Sequence, residues 1–165
     1  MSRKPVKPEQ VAAAMQRIES STDAEELKRV MENAQAMGVT GVYDAAFAKR
    51  LSLLPEEAPG TVAHDLWKSI HALEQLRSDE AGKTVRLSRT RQKLKRVGVM
   101  RLLEDFATHK TSTDGFDILI EHSLPELTGE AIVLRHKQHF SDAVVDAARA
   151  RLEKVGVDID KLPRA

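Results

Sequence analysis

Apolar residues return at intervals of three and four along almost the whole chain, and that spacing is what most restricts its fold. Val11, Met15 and Ile18 follow Pro8, which suits a first helical turn. Leu27, Val30, Met31 and Ala34 form a second stripe, with Ser21 or Thr22 expected to cap it and Glu25 and Glu26 in its first turn. Val42, Ala46, Phe47 and Leu51 mark a third helix, which ends before "LPEEAPG", residues 54–60, the clearest linker in the chain. Beyond it, Thr61 can cap a long helix that turns Leu66, Trp67, Ile70, Leu73 and Leu76 inward. Ser88 is expected to cap a helix over 86–97, and Asp114, Thr128 and Ser141 sit near further helix starts. The β-like run "EAIVL", residues 130–134, is too short to overturn this context.

Gly38–Val39, Gly98–Val99 and Gly156–Val157 each follow a helical stretch. Glycine adopts the left-handed conformation cheaply at a helix end, and the apolar residue after it packs back on the last turn. The flanking residues do not align over 20 or more positions, so this is a shared stop signal rather than a repeat. The expected fold is all-α, a bundle of about eight helices. Residues 8–54 are expected to form an N-terminal helical unit and 61–157 a C-terminal one carrying the basic helix, with packing of the two as one domain the alternative.

The 165 residues include no cysteine, which excludes disulfides, thiolate metal sites and cysteine nucleophiles. The start, "MSRKPVKPEQ", is basic but is followed by an amphipathic stretch, and no apolar run approaches the length of a membrane span. A soluble, cytoplasmic protein without membrane contact is expected.

The formal net charge of +1 hides a pattern. Residues 1–80 carry 10 basic and 13 acidic side chains, residues 81–103 carry 8 and none, and residues 104–165 carry 8 and 12. The middle block holds Lys83, Arg86, Arg89, Arg91, Lys93, Lys95, Arg96 and Arg101. On a helix over 86–97, Leu87, Leu94 and Val97 form a narrow docking stripe. Arg89, Lys93 and Arg96 occupy a second face, and Arg91 and Lys95 a third row. Like charges at i, i+4 destabilise an isolated helix by about 0.2–0.5 kcal/mol per pair. No acidic residue within the block relieves that repulsion, so a polyanion is the expected partner. Lys and Arg neutralise phosphates and release counterions, and Arg adds bidentate contacts to phosphates or guanine edges. No aromatic residue lies between 68 and 105, so the stacking platforms that single strands use are absent and duplex DNA is favoured.

"RQKLKRVGVMRLLEDFA" has the outline of a helix-turn-helix, placing such a pair at 86–109. The reading helix is normally the second one, and here Glu104 and Asp105 follow Arg101 on it, which phosphates repel. "GKT" at 82–84 lacks the leading glycine of a phosphate loop, since Arg77 stands in that position. His136 and His139 would need Glu130 or Asp142 to complete a metal site, and His64 and His71 are too far apart to grip one ion, so no metal or other cofactor is expected. Asp114, Asp117 and Glu121 share a helical face and are the best catalytic candidates, although acids in a first turn also complement the helix dipole. The expected function is non-enzymatic: a DNA-binding regulatory or accessory protein, with all eight cations on phosphates. Exposed helices would also suit a homodimer. The rival readings are an adaptor or inhibitor that docks its basic helix on an acidic protein partner, and a nuclease-like DNA-processing enzyme.

Overall fold

The computed structural model describes residues 4–164, and among them every regular element is helical. The chain forms two compact units, divided between Glu56 and Glu57. Among the described residues no helix is long and apolar enough to cross a membrane.

The first unit holds α1 (Pro8–Ser20), α2 (Ala24–Met37) and α3 (Thr40–Leu53). Its core draws Ile18 from α1, Leu27, Met31 and Ala34 from α2, and Val42, Ala46, Phe47 and Leu51 from α3. Met15, expected inward, is 41% exposed. The cap of α2 is Asp23, not Ser21 or Thr22: its Oδ1 accepts from the amides of Glu25 at 2.9 Å and Glu26 at 3.3 Å. The Ser21 hydroxyl instead donates to Glu26 Oε2 at 2.8 Å, which, together with Arg17, holds that carboxyl below its usual range.

The second unit begins with α4 (Val62–Ala81), capped by Thr61. Then come α5 (Ser88–Val97), α6 (Val99–Thr108), α7 (Asp114–Glu121), α8 (Gly129–Arg135) and α9 (Asp142–Lys154). Short 3-10 turns lie at Pro125–Leu127, Lys137–His139 and Ile159–Lys161. Hydroxyls of Thr113, Thr128 and Ser141 cap α7, α8 and α9. Leu66, Ile70, Leu102, Leu103, Ile132, Val133 and Ala148 share one apolar cluster, which Leu94 of α5 joins. The strand-like "EAIVL" run is the central helix α8, packed against α4, α6 and α9. A helix enclosed on several sides loses its polar face, and that is why its sequence imitates a buried strand.

The three Gly–Val pairs prove to be two devices. Gly38 (φ 72°) and Gly156 (φ 82°) end helices with paired amide bonds: Val39 to Ala34 and Gly38 to Gln35, then Val157 to Leu152 and Gly156 to Glu153. Gly98 has φ 86° and ψ 170°, and it alone joins α5 to α6, accepting the Leu102 amide and donating to Leu94 O. That backbone region is essentially restricted to glycine, and a residue forced into a sparsely populated region costs about 1–3 kcal/mol. Apart from its two chain neighbours, nothing lies within 4 Å of a Cβ added there, so the cost of a side chain is confined to the backbone. Gly98→Ala should therefore lower stability by about 1–3 kcal/mol in urea unfolding. An unchanged midpoint would show that the junction tolerates another geometry.

Candidate nucleic-acid interface

The basic block runs from the loop after α4, through α5, into α6. Its entry is fixed: the Val85 amide donates to Ser78 Oγ at 2.8 Å, and that hydroxyl donates back to Glu74 O at 2.6 Å. α5 then docks through the expected stripe, with Leu94 buried and Leu87 and Val97 partly buried against the main cluster. Ser88 is the first helical residue, not the cap; the cap position is Leu87, which offers no side-chain acceptor.

The eight cations divide into two groups. Arg91 faces α4: its Nε donates to Glu74 Oε1 at 2.8 Å, and its guanidinium carbon lies 5.0 Å from the Trp67 ring centroid. Lys93 Nζ lies 2.9 Å from Asp105 Oδ2, and Arg101 Nε lies 3.1 Å from Asp105 Oδ1. The hydrogen bond from Lys93, reinforced by Arg101, holds the Asp105 carboxyl below the usual carboxylate range. The repulsion within α5 is thus relieved in part, at Arg91 and Lys93, by acids on the neighbouring helices α4 and α6. The pair Arg101–Asp105 was legible at i, i+4 spacing. Glu74 lies 17 residues before Arg91, and no local signal links them.

Lys83, Arg86, Arg89, Lys95 and Arg96 are exposed, and no ion pair reaches them among the described residues. Arg89, exposed Gln92 and Arg96 follow one ridge of α5, with Lys95 beside them. Arg89 to Arg96 spans roughly 10 Å along the helix axis at 1.5 Å per residue. The single-residue junction at Gly98 is shorter than the three or four residues of a helix-turn-helix turn. α6 buries Leu102, Leu103 and Ala107 and ties Arg101 to Asp105, so its structural role is in the core.

The other candidates are dispersed. His136 is buried, with its Nε2 at 2.7 Å from Asp65 Oδ2, whereas His139 is exposed. His64 is buried with Nδ1 3.0 Å from Glu57 O. Asp114, Asp117 and Glu121 are all exposed, and Asp117 accepts from the Ser112 hydroxyl at 2.7 Å. Among the described residues no group of three or more His, Asp or Glu is arranged to hold a metal ion. Comparison with protein-family models, curated proteins and solved structures finds no match to this chain.

Proposed function

We propose that the protein binds duplex DNA as a regulatory or accessory factor, through the outer face of α5. The observation that carries this reading is the division of the basic block. Arg91, Lys93 and Arg101 have acidic partners within the fold, while Lys83, Arg86, Arg89, Lys95 and Arg96 stand exposed without one. Charges that serve only the fold are expected to be matched within it. The unmatched group lies along one helix and the loop that precedes it, which suits a row of phosphates. Three to five such contacts suffice for modest, salt-sensitive binding, and the acidic remainder of the chain limits indiscriminate clamping.

Salt titration of binding to a short duplex tests this directly. Three to five phosphate contacts predict a log–log slope of about −3 to −4.5. Arg89→Glu with Lys95→Glu, both exposed, should lower the slope by about 2 units and weaken binding at least tenfold at low salt, with unchanged helicity. No binding at low salt would overturn the proposal. Binding of an acidic protein in place of DNA would favour the adaptor reading.

A further inference from the structure

Beside the start of α5 the second unit has a half-open cleft of about 480 Å³, within the size range of small-molecule sites. Its lining combines apolar side chains, Leu66, Ile70 and Leu73 of α4 with Phe116 and Leu119 of α7, and three cations, Arg77 of α4, Arg86 in the loop before α5 and Arg89 of α5. The hydroxyl residues Ser88 and Thr90 lie at the uncapped start of α5. The opposing charges are Asp114, which is exposed, and Glu130, which is buried and already paired with Arg151.

Arg77 is the telling member. Its Nε is shielded from solvent and has no hydrogen-bond partner among the described residues. A buried N–H without an acceptor is costly, and natural folds rarely leave one unexplained. Here it belongs to a residue that, with Arg86 and Arg89, lines the cleft. We infer that this cleft binds a small amphipathic anion, its apolar body against α4 and α7 and its carboxylate or phosphate head among Arg77, Arg86 and Arg89. Arginine suits such a head because its planar fork matches an oxyanion in two-point contact. The apolar side chains supply the burial that a bare anion would not use.

The site requires no nucleic acid, so calorimetric titration of the whole chain with small probes tests it independently of the DNA reading. Octanoate should bind saturably at 1:1. The same chain without the charge, 1-octanol, and the charge without the chain, inorganic phosphate, should each bind at least tenfold more weakly. Octyl phosphate in place of octanoate distinguishes the two head groups. Arg86→Gln with Arg89→Gln should weaken octanoate at least tenfold while melting stays unchanged, since both side chains are exposed. Lys95→Gln with Arg96→Gln, at the far end of α5, should leave octanoate binding intact while weakening DNA binding. Arg77→Met should raise the melting temperature of the free protein yet lower octanoate affinity, a combination that a purely structural arginine would not give. Equal binding of octanol and octanoate, or no saturable octanoate binding at millimolar concentration, would overturn the assignment. So would octanoate-induced amide shifts that spare Leu73, Gly115 and Phe116.

Discussion

Arg151→Ala should be among the most damaging single substitutions in the second unit, costing about 3–5 kcal/mol, the range seen when one partner of a buried ion pair is removed. Glu130 is 1% exposed, and Arg151 Nη1 lies 3.2 Å from its Oε1. The same guanidinium donates to the backbone oxygens of Phe106 and His109, so it also closes the end of α6. Truncation strands a carboxylate in the core and two carbonyls at a helix terminus. A loss of this size should lower the melting temperature by on the order of 10 °C or more. Replacing both partners, Glu130→Met with Arg151→Met, should recover at least about 2 kcal/mol, because no buried charge is left unpaired.

The pH dependence gives the same pair a second, independent readout. Burial pushes the Glu130 carboxyl above its usual 4.5, against the opposing pull of its own backbone amide and of Arg151. A carboxyl whose folded pKa is raised contributes stability fully below its unfolded value, and that contribution is lost as pH rises through the folded value. Without Arg151 the folded value rises further. The deficit of Arg151→Ala should therefore be largest at neutral pH and should shrink as pH falls toward 5, measured by urea unfolding at each pH. A deficit that stays constant over that interval would mean the lost energy lies in the carbonyl contacts and not in the ion pair.

Asp65→Asn should be nearly as costly, about 2–3 kcal/mol, for the opposite electrostatic reason. Asp65 Oδ2 accepts from His136 Nε2 at 2.7 Å and Arg135 Nη1 at 3.0 Å. Arg135 also donates to Glu126 O at 3.0 Å and Pro163 O at 3.2 Å. One carboxylate thus orients the residues that tie α4 to α8, the 3-10 turn before it and the segment after α9. Burial alone would raise the Asp65 pKa, but the hydrogen bonds from His136 and Arg135 outweigh it and leave it below 3.8. A depressed carboxyl stabilises the fold above its unfolded pKa, and the contribution fades as pH falls through the folded value. The wild-type chain should therefore lose stability on acidification below about pH 4 more steeply than Asp65→Asn does. Parallel acid limbs, or an unchanged midpoint at pH 7, would remove Asp65 from this role.

Much of the helical organisation was legible in the sequence, because apolar spacing and capping hydroxyls act over three or four residues. Thr61, Thr128 and Ser141 do cap the helices they precede. The boundary of α2 was misplaced because Ser21, Thr22 and Asp23 are all good caps, and choosing among them takes the side-chain geometry. α8 resembled a strand because its surroundings, not its own period, make it a helix with no polar face. The basic block was visible at once, but its division was not. Which cations are spent within the fold depends on Glu74 and Asp105, and only tertiary packing brings Glu74 to Arg91 or Asp105 to Lys93. The cleft beside α5 combines residues from α4, α5, α6, α7, α8 and the loop before α5, a convergence without any local signature.

Asp105 holds Lys93 of α5 with one oxygen and Arg101 of α6 with the other, across the single-residue link at Gly98. It therefore sets, from α6, how much of the positive charge of the block is matched within the fold. Neutralising that one carboxylate releases two cations at once, while every exposed cation of the face stays as it is. A substitution at Asp105 would thus add two unmatched cations to the basic block without touching Lys83, Arg86, Arg89, Lys95 or Arg96.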